Sequence, residues 1–238
     1  MSENISDFKK NLRKEMKKTL EEFHKNLSEE EKVILGEKIC LKVTALEEYK
    51  NADLILAYIP DRLEADCRPL ILDALKEGKK VAVPKVDFAA LKEGRSRMDF
   101  YFLDGRKSLE EQLESGAYGI LEPKVGLEKL IWGVAGRERP VRGKNCETVF
   151  ERVSVKAVPE PLPFVIVPGV AFTKDGKRLG HGKGFYDIYI DEMQQHGAKP
   201  FLCGFCLPCQ IVEEIPTDEH DVRMDCVISQ EGRFTLLF

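Results

Sequence analysis

The chain of 238 residues has one tryptophan, four histidines and no excess of positive charge. Its 37 lysines and arginines stand against 41 acids, for a net charge of −4. That balance excludes a global basic field of the kind that draws nucleic acid, so any anion site must come from a local cluster of bases. No apolar run approaches the roughly 20 residues that cross a bilayer, and the N-terminus lacks the apolar core of a secretory signal. Neither nucleic acid nor membrane is expected as a partner. Seven cysteines are an odd number, scattered without the spacing of a secreted disulfide scaffold, which suits reduced thiols and a cytoplasmic location. There is no internal repeat, no low-complexity tail, and no Ser/His/Asp set with the spacing of a nucleophilic triad. With 43% apolar residues the chain has enough for one sizeable core, or at most two small ones.

What the chain does have is concentrated in one stretch. Phe164 to Val167 is a short apolar, β-branched run that predicts a buried strand. Asp175-Gly176 marks a turn. Arg178-Leu-Gly-His-Gly-Lys-Gly184 follows, with glycines at alternate positions and the basic side chains of Arg178, His181 and Lys183 between them. From Phe185 to Gln195 the pattern is helical, with Phe185, Ile188, Tyr189 and Met193 expected on one face and Gly197 placed as a C-cap. Strand, glycine-rich basic loop and helix N-terminus together present open backbone N–H groups and a positive dipole end to an anion, and glycines let a phosphate approach the backbone. Lys183 is followed by Gly184 rather than Ser or Thr, so this is no Walker A loop. Gly180-x-Gly182-x-Gly184 also has the wrong period for a dinucleotide fingerprint. Asp187, in the first helical turn, can hold a divalent cation that bridges phosphates or simply complement the helix dipole.

Elsewhere, Phe8, Leu12, Met16, Leu20 and Phe23 predict a helix over residues 6–24, in which Lys9 and Arg13 share a face. Ser28-Glu-Glu-Glu31 is a capping-box start for a second helix running to about Glu48. Leu54–Ile59, a helix capped by Asp66 and closed by Gly78, and Val81-Ala-Val83 make a βαβ unit, hence a largely parallel sheet. Ligands of such sheets sit beyond the carboxyl ends of the strands, where Ile59 to Glu64 falls. Met98–Leu103 and Phe201–Phe205 are further strands, and Cys226–Ser229 with Phe234–Phe238 predicts a terminal hairpin. Residues 108–114 form a short helix ended by Gly116, and Tyr118 beyond it could stack on a flat ring or simply pack. Residues 126–162, rich in charge and proline, are expected to be an inserted surface loop. Cys203-x-x-Cys206-x-x-Cys209 resembles the start of an iron–sulfur run, but position 213 is Glu213 and no proline follows, so packing is the simpler reading.

Val167-Pro-Gly-Val-Ala-Phe172 with Gly176-Lys-Arg-Leu-Gly-His-Gly-Lys-Gly-Phe-Tyr-Asp187 resembles the signature of the 5-formyltetrahydrofolate cyclo-ligase (5,10-methenyltetrahydrofolate synthetase) family. The likeness extends to Lys9-Lys-Asn-Leu-Arg13, to Tyr118-Gly-Ile-Leu-Glu-Pro123 and to Asp218-Glu-His-Asp221. It implies a single three-layer α/β domain over residues 1–238, with a mixed, mainly parallel sheet and helices on both faces. It further implies an enzyme that closes 5-formyltetrahydrofolate to 5,10-methenyltetrahydrofolate with ATP and Mg²⁺, as a monomer or weak homodimer. By the same resemblance Lys9, Arg13, Arg178, Leu179, Gly180, His181, Gly182, Lys183, Gly184, Phe185 and Tyr186 would hold ATP, with Lys183 and Arg178 catalytic. Ile59, Glu64, Tyr118, His181, Lys183 and Tyr186 would contact the folate, and Asp187 and Asp221 would serve Mg²⁺. A nucleotide- or folate-binding protein without activity, or a phosphotransferase with another acceptor, would use the same features.

Overall fold

The computed structural model describes residues 2–116, 119–132, 138–142, 148–152 and 162–235. The chain opens with three helices, α1 (Ser2–Lys25), α2 (Glu29–Thr44) and α3 (Glu47–Asn51). A β-α-β run follows: β1 (Leu54–Leu56), α4 (Arg68–Lys76) and β2 (Lys80–Val86). Then come α5 (Phe88–Lys92), β3 (Met98–Phe102), α6 (Leu109–Gln112), β4 (Leu113–Ser115) and β5 (Leu121–Pro123). A hairpin of β6 (Glu138–Arg142) and β7 (Thr148–Arg152) precedes β8 (Phe164–Val167) and the short pair β9 (Ala171–Phe172) and β10 (Arg178–Leu179). The last elements are α7 (Phe185–Gln195), β11 (Phe201–Phe205), β12 (Cys226–Ser229) and β13 (Gly232–Thr235).

Seven strands form one sheet in the order β13-β12-β11-β8-β1-β2-β3. The five inner strands run parallel, and β3 and β13 close the two edges antiparallel, which makes the sheet mixed and mainly parallel, as expected. Successive side chains of a strand point to opposite faces, and the core divides accordingly. Ile55, Phe164, Ile166, Cys203 and Phe205 enter one cluster with Leu35, Ile39 and Val43 of α2 and Leu70, Ile71 and Ala74 of α4. Leu54, Leu56, Val165, Val167 and Leu202 enter the other with Tyr189, Ile190 and Met193 of α7. Helices therefore cover both faces.

Several local expectations hold. The capping box at Ser28 is formed, with Ser28 Oγ accepting from the Glu31 N–H and the Glu31 carboxylate accepting from the Ser28 N–H. Gly78, Gly176 and Gly197 take the positive φ of turn and C-cap residues. Other details differ. The second helix stops at Thr44 and resumes at Glu47, because Leu46 turns extended and is buried in the core. The residue at the start of α4 is Cys67 rather than Asp66, whose carboxylate instead accepts from Arg68. On α7 the buried face is Tyr189, Ile190 and Met193, and Ile188 is half exposed at the mouth of the cavity described below.

The stretch 126–162 is not uniform. Its first residues run along the sheet edge, where Phe102 N–H donates to the Glu128 carbonyl and Leu130 N–H to the Phe100 carbonyl. Trp132 is buried there, and its indole N–H donates to Tyr189 Oη at 2.8 Å.

Candidate active site

The loops that leave the carboxyl ends of β1, β2 and β8 enclose a cavity of about 730 Å³, within the range typical of small-molecule sites. The cavity gathers Arg13, Ile59, Glu64, the whole run from Arg178 to Asp187, and Asp221. Lys9 stands behind this wall and reaches it through Asp218 and Asp221. Tyr118 lies outside the described residues.

The basic loop is held from two sides. Arg178, buried on β10, donates from Nη2 to both oxygens of Asp187 at 2.7 and 2.8 Å, and from Nη1 to the Pro168 carbonyl at 3.3 Å. Its guanidinium carbon lies 5.8 Å from the centre of the Tyr186 ring. Asp187 also accepts from the Val222 N–H at 3.2 Å. From the other side Arg13 of α1 donates through Nε to the Gly180 carbonyl at 2.8 Å. Gly180 has no room for a Cβ, which would come within 2.9 Å of Arg178 Nη1, and Gly182 combines φ +85° with an Arg13 guanidinium packed against it. Glycine at these two positions lets both arginines close on the loop. Gly184 starts α7 in the left-handed region, and no side chain caps it. The first N–H groups of the helix are thus left to a ligand, in the manner of an anion-binding helix N-terminus.

Lys9 is buried, with its ammonium 2.8 Å from Asp218 and 2.5 Å from Asp221. Burial pulls its pKa down, and the two carboxylates more than reverse this, leaving it above the ordinary lysine value. Asp218 is held below the usual carboxylate range, first by its bond to Lys9. His181 projects from the loop toward Glu64, with Nε2 3.6 Å from Oε1. Glu64 chiefly, acting against desolvation, raises the His181 pKa. Glu64 is itself positioned by the Asp61 N–H at 3.0 Å. The Tyr186 hydroxyl is buried in the wall with no hydrogen-bond partner among the described residues.

Several wall residues were not marked by the sequence. Asp218 and Asp61 lie beside marked neighbours. Phe88, Leu91 and Leu121 make an apolar end that only the packing of β2, α5 and β5 creates. Glu122 is buried in the same wall. Its pKa is raised by burial, against the opposing effects of Lys85 and the Val86 N–H. The sequence marks Glu122 only as part of Tyr118-Gly-Ile-Leu-Glu-Pro123, in the resemblance, without a role.

Cys203 and Cys206 of the cysteine run behave as packing residues. Cys203 and Cys206 are buried, and desolvation is the main cause of their raised pKa values. Among the described residues no group of three or more His, Cys, Asp or Glu side chains is arranged to hold a metal ion, and no helix is long and apolar enough to cross a membrane.

Comparison with known proteins supports the resemblance. The model of the 5-formyltetrahydrofolate cyclo-ligase family matches residues 5–132 and 144–230. A mouse (Mus musculus) 5-formyltetrahydrofolate cyclo-ligase is 29% identical over 229 residues, covering 96% of each chain. A probable 5-formyltetrahydrofolate cyclo-ligase of Schizosaccharomyces pombe is 32% identical and covers 81% of this chain and 82% of its own. The NMR structure of Aquifex aeolicus 5,10-methenyltetrahydrofolate synthetase superposes with a TM-score of 0.65 at 30% identity, over 97% of this chain and 93% of that one. With its sheet order, its glycine-rich basic loop and nearly all of its length accounted for, this chain belongs to the 5-formyltetrahydrofolate cyclo-ligase family.

Proposed function

We propose that this protein is a 5-formyltetrahydrofolate cyclo-ligase, using ATP to close 5-formyltetrahydrofolate to 5,10-methenyltetrahydrofolate with release of ADP and phosphate. The observation that carries the proposal is the joining, in one cavity, of a basic glycine loop at a helix N-terminus with an apolar, acid-bearing wall. Such a cavity suits a polyphosphate and a heterocycle that must meet.

In this reading the formyl oxygen takes the γ-phosphoryl group from ATP. N10 then attacks the activated carbon, and phosphate leaves with the formyl oxygen as the ring closes. Phosphoryl transfer asks the protein mainly for positioning and charge neutralisation. The N–H groups of residues 182–187 and the side chains of Arg13 and Lys183 would hold the phosphates. Arg178 would keep the loop closed while Asp187 orients it. Ile59 would pack on the folate, Glu64 would bind it, and His181 with Tyr186 would stand where the two substrates touch.

The oxygen donors of Asp187 and Asp221 suit Mg²⁺, which uses one or two carboxylates together with substrate phosphates and water. Each acid is paired with a base here, so taking the ion would require each to share or turn from that base. When bound, the ion would neutralise phosphate charge. The described cysteines are unpaired, and we extend the proposal to a cytoplasmic setting.

The test is absorbance growth on mixing protein, MgATP and 5-formyltetrahydrofolate. ATP-dependent appearance of the methenyl chromophore is expected. Its absence in the presence of both substrates would overturn the reading.

A further inference from the structure

Glu64 and His181 face each other from two separate loops, one after β1 and one after β10. Helix α1 holds each loop at the residue just before the paired side chain. Arg13 Nε donates to the Gly180 carbonyl at 2.8 Å, next to His181. His24 Nε2 lies 3.2 Å from the Leu63 carbonyl, next to Glu64. Positions 13 and 24 are about three turns apart on α1, so both side chains leave the same face, about 16 Å from each other along the axis. One rigid element thus reaches both halves of the pair.

A histidine in the last turn of a helix can serve the dipole with its charge. Here burial is the chief influence and lowers the His24 pKa. Lys32 acts in the same sense, against the opposing effects of the Leu63 carbonyl, Asp61 and Glu29. The ring is therefore neutral near pH 7. A carbonyl oxygen only accepts, so the bonded Nε2 carries the proton. His24 acts as a donor, and what it grips matters. The Leu63 C=O and the Glu64 N–H belong to one planar peptide unit. His24 holds its oxygen, and Asp61 Oδ1 accepts from its N–H at 3.0 Å. Held at both ends, that plane cannot turn, and it sets the direction in which Glu64 projects. The other bonds of this turn, from Leu63 N–H to Asp61 and from Asp61 N–H to Glu64, lie within it and fix its shape rather than its place. The pair of Arg62 with Glu21 at 3.6 Å is exposed and contributes little.

We propose that His24 is a positioning residue: by donating to the Leu63 carbonyl it fixes the peptide plane from which Glu64 projects, so that α1 sets Glu64 and His181 against each other from both sides. His24 itself stands outside the cavity wall. It acts on the cavity only through Glu64. The consequence for folate rests on the cyclo-ligase reading, whereas the placing of Glu64 does not.

The experiment is an NMR titration of the histidine rings without substrate. Near pH 7 the wild-type His24 ring should show the nitrogen shifts of the neutral Nε2–H tautomer. A protonated ring, or the Nδ1–H tautomer, would overturn the assignment, and this arm depends on no variant. The reporter of the pair is the His181 pKa, raised chiefly by Glu64 and also by Asp61, against desolvation and Arg178. Glu64→Gln should return it toward about 6.5. His24→Leu should move it most of the same way. His24→Gln, whose amide N–H can meet the same carbonyl, should restore the wild-type value. An unmoved His181 in His24→Leu, or equal shifts in both His24 variants, would overturn the proposal. In turnover, followed by methenyl absorbance, His24→Leu should raise the folate KM about fivefold, the scale of one neutral hydrogen bond, and leave the KM for ATP unchanged. A rise confined to the ATP KM would overturn the proposal as well. A wild type that makes no methenyl product would overturn the reaction alone, because the titrations are read without it.

Discussion

The bases of the site fall into two kinds. Lys9, Arg13 and Arg178 are pinned by side-chain or backbone acceptors on the protein. Lys183 is exposed at the middle of the glycine loop, with no hydrogen bond or ion pair among the described residues. Lys9 and Arg178 hold the wall in shape, and their charge is largely spent on acidic partners, whereas Arg13 meets a neutral carbonyl through Nε and keeps its charge. Lys183 retains its charge for a ligand. Under the proposed function, that contrast separates the bases that build the site from the one that would answer a phosphate.

Substitution can break that contrast. Lys183→Ala should lower kcat by about 10²–10³, the scale of losing one charge-stabilising donor, with the denaturant midpoint of unfolding unchanged. Near-normal turnover would place Lys183 among the bystanders. Arg178→Ala should act first on the fold. It leaves Asp187 partly buried without its base, and such a loss costs about 3 kcal/mol, visible as a lower urea midpoint. A midpoint equal to wild type would mean that the pair does not hold the loop. Glu64→Ala should raise the folate KM about tenfold, the loss of one hydrogen bond to a charged group, and leave the KM for ATP nearly unchanged. The reverse split would move Glu64 to the nucleotide.

The smallest effect concerns His181, which is half-way between the two kinds: paired, yet exposed. Its pKa is raised in the folded protein, chiefly by Glu64. The stabilisation is therefore complete below the unfolded histidine value of about 6.5 and is lost as pH rises through the higher folded value. Because the histidine is exposed, the change is a fraction of 1 kcal/mol. Thermal melts from pH 5 to 8 should show it in the wild type and not in Glu64→Gln. An identical slope in both would remove the pairing from the account.

Much of this was legible in the chain, and the reasons differ by residue. The β8 strand and the helix from Phe185 to Gln195 fall where local pattern puts them, because apolar runs, glycine turns and capping signals act over a few residues. The face of α7 was misread at Ile188, since residues 188 and 190 both suit an apolar stripe and only the cavity beside the helix exposes the former. By the resemblance Lys9 is expected at the ATP phosphates; its pairing with Asp218 and Asp221 has no local signal, because they are 209 and 212 positions away. Trp132 fell inside a stretch judged by its charge and proline, although its hydrogen bond to Tyr189 ties it to α7. Glu122 needed the third dimension most: its burial comes from the β4–β5 hairpin lying against β2, which a linear pattern does not show.

The clasp of Lys9 on Asp218 and Asp221 also sets a timetable. On a ribosome adding about 5–20 residues per second, α1 is finished roughly 10–40 s before its acidic partners exist. Until then the first helix has a buried-type lysine with no counter-ion, and the cavity lacks the part of its wall formed by Asp218 and Asp221. A nascent or truncated chain ending after β11 would contain five strands of the sheet but no completed clasp. The clasp thus closes only after the residues that follow β11 have been made.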